Sequence, residues 1–261
     1  MKMKNLNTKN GTIAYQDMGN GKAIVLLHGF CGSSQYWEKV IPKLAKNYRV
    51  ITPDLPGHGE SMNLEENDRI EDIADSVQNL LEYLTIQQVT MFGHSLGGYV
   101  TLAFAEKYSE LLNGFSLIHS TAFPDAVEAK EGRVANAKKV EKEGIHSFVD
   151  GLVPKLFSAD NQDEEYVERA KKIGYATSTK GAIRTLMAMK DRSDRNSVLE
   201  ETNLPVLLIA GEKDQIIPSE KTFSVSKPNI KHSLINDAGH MSMYENPEEL
   251  ISEMNSYLTN I

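Results

Sequence analysis

Apolar and polar positions along the chain follow two rhythms. Short unbroken apolar runs recur, as in Ala23-Ile24-Val25-Leu26-Leu27, Val89-Thr90-Met91-Phe92 and Val206-Leu207-Leu208-Ile209-Ala210. Bounded by turn residues, such runs read as strands buried on both faces. Residues 49–53, 114–119 and 230–235 predict three more strands. Between the strands the spacing turns helical. Residues 35–47 place Trp37, Val40, Ile41 and Leu44 on one face, and 69–84, 96–108 and 247–258 predict further helices. Residues 4–18 carry an Asn10-Gly11 turn between alternating segments, a hairpin signature. Strand and helix in alternation favour an α/β fold, a mostly parallel sheet covered by helices on both sides.

The rhythm breaks in the middle. Residues 121–196 hold no convincing strand, only helical segments over 126–143, 147–157, 164–177 and 181–190, before the strand pattern resumes. The expected organisation is therefore a core of residues 1–120 and 197–261 with a helical insertion at 121–196, too short and too helical to bind a nucleotide.

The tightest turn in the pattern lies at Phe92-Gly93-His94-Ser95-Leu96-Gly97-Gly98, where strand passes to helix with almost no residues to spare. Such a turn forces Ser95 into a strained backbone. It is tolerable only if its neighbours are tiny, since a Cβ at Gly93 or Gly97 would strike the crossing strand or helix. The serine oxygen is then held clear at the strand tip, and the Leu96 N–H opens a helix toward the same point. A glycine-rich turn in which Ser95 merely caps the helix is the competing reading of this stretch alone.

Composition narrows the picture. The 261 residues suit one α/β domain with an insertion, and 40% hydrophobic with 25% charged residues is ordinary for a globular protein. A net charge of −8 argues against nucleic acid as a partner. The single cysteine, Cys31, cannot form an internal disulfide. No apolar run follows the N-terminal Met1-Lys2-Met3-Lys4, and none approaches the roughly 20 residues of a membrane span. A cytoplasmic protein without a membrane partner is the expectation. No Cys/His spacing of a zinc site and no glycine-rich nucleotide fingerprint occurs, so neither metal nor cofactor is expected.

The strand, the Gly-x-Ser-x-Gly stretch and the helix together resemble the nucleophile elbow of the α/β-hydrolase superfamily. That resemblance implies Ser95 as nucleophile, with an acid and then a histidine following in chain order. Asp214, in Gly211-Glu212-Lys213-Asp214-Gln215-Ile216-Ile217-Pro218, matches the acid position, and His240, after Gly239 and ahead of the last helix, matches the base. Asp237, a rival acid by proximity, reads as a turn residue. His28, His58 and His94 read as structural histidines, and His119, His146 and His232 stand in no motif. His28-Gly29-Phe30 resembles the family's oxyanion loop, giving the Phe30 and Leu96 amides as donors. Asp54-Leu55-Pro56-Gly57-His58-Gly59-Glu60-Ser61 resembles a family signature with a packing role. By the same resemblance the 121–196 insertion is a cap over the site.

A serine nucleophile implies acyl chemistry. Haloalkane dehalogenases and epoxide hydrolases of this fold use an aspartate at the elbow, and proline iminopeptidases a longer, acid-lined cap. Menaquinone-pathway lyases place an arginine where this chain has Tyr99, although Arg133, Arg169 and Arg184 could still meet an anionic substrate. The expected lining is Phe30, Phe123, Phe148, Leu152, Phe157, Met187 and Met241, an apolar and adaptable pocket. The expected activity is hydrolysis of carboxylic esters of small to medium apolar acyl groups, with a small-molecule ester as partner. A carbon–carbon hydrolase or lyase of the same fold and a small-molecule sensor with residual hydrolase activity stand as alternatives.

Overall fold

The computed structural model describes residues 2–8, 11–62 and 69–261. Among the described residues eight strands form one sheet: β1 (Lys4–Thr8), β2 (Gly11–Met18), β3 (Ala23–Leu27), β4 (Arg49–Pro53), β5 (Val89–His94), β6 (Leu112–Ile118), β7 (Val206–Gly211) and β8 (Ile230–Ile235). Their spatial order is β1-β2-β4-β3-β5-β6-β7-β8. The first two pairings, β1 with β2 and β2 with β4, are antiparallel. From β4 to β8 every pairing is parallel. The Asn10 half of the expected hairpin turn lies outside the described residues.

The apolar runs are central strands for a simple reason. Ile24 to Leu27, Val89 to His94 and Val206 to Gly211 are buried throughout, as strands covered by helices on both faces require. The Ile70–Tyr83 helix buries Ile70, Ile73, Ala74, Val77, Leu80 and Leu81, the spacing of a single helical stripe. It packs on the Leu96–Lys107 helix, which is buried along nearly its whole length.

One expected element is broken. Residues 35–47 form a 3₁₀ turn, Ser34–Trp37, and a single α turn, Ile41–Leu44. Pro42 supplies no N–H to the preceding turn, so a helix cannot run through it and instead restarts with the proline at its first turn. The apolar positions nonetheless bury as a set: Trp37, Val40, Ile41 and Leu44 are all fully enclosed.

The signature after β4 is a packing device. Asp54 accepts from the Ser34 and Glu60 amides at 2.7 and 2.9 Å, and its carbonyl accepts from the Ser61 hydroxyl at 2.6 Å. Ser61 Oγ in turn accepts from the Ala14 amide, tying the loop to β2.

Between β6 and β7 the structure is helical: Val127–Leu152, the 3₁₀ turn Val153–Leu156, Glu164–Gly174, Thr179–Lys190 and Asn196–Glu201. The first is two helices meeting at a kink at Gly144, where φ is 83° and ψ 169°, so the break falls between the expected segments 126–143 and 147–157. It packs against Thr179–Lys190.

Candidate active site

Parallel strands that end on one edge of a sheet bring their following loops together there. Phe30 follows β3, Ser95 β5, His119 β6, Asp214 β7 and His240 β8.

Ser95 has φ 51° and ψ −114°, a left-handed backbone that costs about 1–3 kcal/mol for a residue with a side chain. Its amide donates to the Ile118 carbonyl at 2.9 Å, and its carbonyl accepts from Gly98 N and Ser120 Oγ, both at 2.8 Å. The neighbouring glycines are steric necessities. A Cβ at Gly97 would lie 2.5 Å from the Leu27 carbonyl oxygen on β3, and one at Gly93 would overlap the Gly97 backbone. Among the described residues the Phe30 and Leu96 amides donate to no protein acceptor.

His240 Nδ1 donates to Asp214 Oδ2 at 2.8 Å, both side chains being buried. A carboxylate only accepts, so the proton sits on Nδ1 and leaves the Nε2 lone pair open. Oδ1 of the same carboxylate accepts from the Ile216 and Ile217 amides at 2.8 and 3.0 Å. Burial alone would raise the Asp214 carboxyl, but His240 and His119 against it hold it well below the ordinary carboxylate range. Asp237 turns away, its carboxylate exposed and paired with Lys213.

Two residues here carry no motif in the sequence. His119 Nδ1 lies 3.2 Å from Asp214 Oδ2, without the alignment of a hydrogen bond, while its Nε2 bonds the Ser242 hydroxyl at 2.7 Å. Burial holds its imidazole below the ordinary value despite the pull of Asp214. Glu245 clamps the histidine loop, accepting from the Gly239 and Met241 amides at 2.9 and 3.1 Å and from Ser158 N at 2.7 Å. No local signal marks either residue: His119 acts through Asp214 and Ser242, and Glu245 ties its own loop to Ser158, 87 positions earlier.

The donor atoms of His119, Asp214 and His240 lie within 4.8 Å of one another, close enough to ligate a cation. A metal there would need the His240 Nδ1 lone pair, which here carries the proton given to Asp214. The hydrogen-bonded pair is the arrangement the geometry favours.

His28, His58, His94 and His232 bond to backbone, and His146 stacks on the Tyr175 ring. His28 Nδ1 donates to the Gly29 carbonyl and Nε2 accepts from Leu55 N, each at 2.8 Å. His58 donates to Pro56 O at 3.0 Å and His94 to His240 O at 2.9 Å.

Ser95 and His240 share the wall of a cavity of about 230 Å³. No hydrogen bond joins their side chains, and such links are often loose until a ligand binds. Of the apolar residues expected around it, Phe30, Phe123 and Leu152 line the cavity. The other four do not. Phe148 is buried behind Phe30, ring centroids 5.9 Å apart, and Phe157 is buried 6.3 Å from the Tyr244 ring. Met241 is fully enclosed in the core and Met187 packs against it half-buried. Their apolar character fills the seam between insertion and sheet, a packing demand that sequence cannot separate from a pocket wall. The wall is also more polar than expected, since Asp125, Arg133, Arg192 and Lys221 belong to it. Of the three arginines singled out in the sequence only Arg133 lines it. Arg169 is paired with Glu38 at 2.7 Å, and Arg184 lies elsewhere.

The family model of the alpha/beta hydrolase fold matches residues 22–247. The chain is 31% identical, over 91% of its length, to the dihydrolipoyllysine-residue acetyltransferase component of an acetoin cleaving system from Pseudomonas putida, and spans 64% of that protein. It is 28% identical to the uncharacterized hydrolase YugF of Bacillus subtilis, over 92% of this chain and 90% of that one. Among solved structures, a malate-bound thermophilic esterase from Thermogutta terrifontis superposes with a TM-score of 0.93 at 29% identity, covering 100% of this chain and 99% of the other.

Proposed function

The chain belongs to the α/β-hydrolase fold family, and on that premise we propose that it is a serine hydrolase of carboxylic esters working through an acyl-enzyme. Ser95 is the nucleophile, His240 the base and Asp214 the acid that orients it. The observation that carries this reading is the buried His240–Asp214 hydrogen bond, set beside the strained Ser95 in one cavity wall.

The mechanism follows from these groups. His240 Nε2 takes the Ser95 proton as Oγ attacks the ester carbonyl, and Asp214 stabilises the imidazolium that forms. The oxyanion is received by the Phe30 and Leu96 amides, donors worth about 2.7–4 kcal/mol each in comparable sites. The protonated His240 then returns its proton to the leaving alcohol, and water releases the acid by the same steps in reverse. Phe30, Phe123, Leu152, Leu156 and Met189 give the acyl part of the substrate an apolar wall, suited to small and medium chains. The 121–196 segment acts as the cap, since it contributes Phe123, Leu152 and Met189 to that wall.

The test is hydrolysis of p-nitrophenyl esters from acetate to long chain by wild type and Ser95→Ala. Turnover that falls about ten-thousand-fold or more in the variant supports the reading. Equal turnover in both proteins refutes the elbow assignment. Negligible turnover in both points instead to carbon–carbon chemistry or a sensor.

A further inference from the structure

The cavity wall carries a charge that the chain as a whole does not. The sequence has a net charge of −8, yet the wall sets Arg133, Arg192 and Lys221 against one carboxylate, Asp125. That carboxylate bridges the two guanidiniums. Oδ1 accepts from Arg192 Nη1 at 2.6 Å and Oδ2 from Arg133 Nε at 3.0 Å. Arg192 is held further by the Phe123 and Met189 carbonyls, and its guanidinium lies 4.1 Å from the Tyr99 ring centroid. Both cations are thus fixed in place, but one carboxylate cannot neutralise two.

Donors are left over as well as charge. Arg192 Nη2, both Nη atoms of Arg133 and the Lys221 ammonium have no hydrogen-bond partner among the described residues. Arg192 is itself only 7% exposed. A surplus cation in a half-enclosed space is unfavourable unless an anion enters, and a planar guanidinium fork matches the two oxygens of a carboxylate. Apolar wall explains none of this. A pocket built for a neutral acyl chain alone has no use for three cations.

We infer that this cluster binds a carboxylate carried by the substrate, so that the preferred ester is an anion: a half-ester of a dicarboxylic acid, or an acyl ester of a hydroxy acid. This rests on the ester-hydrolase reading and adds the substrate class. Asp125 is a positioning residue that keeps the two guanidiniums side by side, and Tyr99 supports Arg192 from below.

The experiment compares kcat/KM for monoethyl half-esters, malonate through adipate, with neutral ethyl esters of equal acyl length. A second pair sets 4-acetoxybutanoate against its methyl ester. At least one anionic member should exceed its neutral counterpart by about tenfold to a hundredfold, the range of a hydrogen bond to a charged group. The anionic-to-neutral ratio should then drop about tenfold in Arg133→Gln, and by less in the exposed Lys221→Gln. Neutral esters preferred at every length and on both sides, or a ratio unchanged by Arg133→Gln, overturns the inference. In parallel, glutarate binding to Ser95→Ala is measured by calorimetry with and without Arg133→Gln. If no ester is hydrolysed but glutarate binds and Arg133→Gln weakens it, the ester reading fails and the anion site stands. If glutarate and its homologues from malonate to adipate all fail to bind, the site falls whatever the esters do.

Discussion

The loops at the ends of the parallel strands and the helices between β6 and β7 are built on opposite terms. Among the described residues five non-glycine positions have a left-handed φ: Cys31, Thr85, Ser95, His119 and Asp237. Four of them fall in the loops directly after β3, β5, β6 and β8, and none falls in 121–196. The first region therefore stores backbone strain and, Asp237 apart, wholly or partly encloses the polar side chains at those positions. The second is relaxed, and exposed on its outer side, with Val127 67% accessible. Strain is sustained only where the surroundings over-determine it, so the sheet ends can hold a reacting constellation to a fraction of an ångström. The insertion has no such grip. What it supplies is lining: Phe123, Asp125, Arg133, Leu152 and Arg192 all come from it. The division suggests that chemistry resides in the sheet ends and selectivity in the insertion.

The sharpest way to break that division is at Asp214. Replacing it with Asn keeps the shape but offers an amide where His240 needs an acceptor, inviting the wrong imidazole tautomer. Turnover of a simple ester should fall about ten-thousand-fold, the scale seen when a buried triad acid is neutralised. Steady-state kinetics read it directly. A loss below tenfold would put the driving group somewhere other than the sheet ends.

A second test uses acid. Burial holds four histidines of the sheet-end loops below their ordinary value, His28 at about 4, His58 at about 3, and His94 and His119 also lowered. A histidine neutral in the native state but near its ordinary value of about 6.5 when unfolded binds its proton only on unfolding. Its contribution is complete above pH ~6.5 and is lost as pH falls toward the native value. Asp214 acts in the same direction at lower pH, since its depressed value makes its contribution complete above about 3.9 and lost below. Urea unfolding from pH 7 to pH 4 should therefore show stability falling by several kcal/mol, about 1.4 for each unit of native shift traversed. Stability that stays level across this window would mean the loops open locally and admit protons without global unfolding.

The same division explains how much could be read in advance. The sheet was legible because strands buried on both faces must be apolar throughout, and the elbow because only glycine fits at Gly93 and Gly97. His240 and Asp214 sit in local patterns dictated by the turns that present them. His119 and Glu245 were not legible, because what makes them matter is a partner far away in the chain: Asp214 for His119, and Ser158, 87 positions earlier, for Glu245. In the insertion, helical spacing revealed helices but not which face meets the cavity. Phe148 and Met187 have the composition of lining and the position of packing, while Arg192, unmarked in the sequence, reaches the wall by way of the Tyr99 ring.

The smallest expected effect is the most direct comparison of the two regions, since it makes one chemical change in each. At Gly132, in the Val127–Leu152 helix, an added Cβ meets nothing within 4 Å. Alanine there reduces the freedom of the unfolded chain without cost to the native one. Gly132→Ala should stabilise the protein by about 0.4–1 kcal/mol and leave the turnover of a neutral ester within about twofold. Gly97→Ala drives the same methyl to 2.5 Å from the Leu27 carbonyl oxygen, so β3 or the elbow helix must move. Chemical denaturation of the pair reads the contrast, a gain at one glycine and a loss at the other. Equal shifts of one sign would show that the two regions share a single mechanical character, and the separation of strain from lining would no longer account for how the site is built.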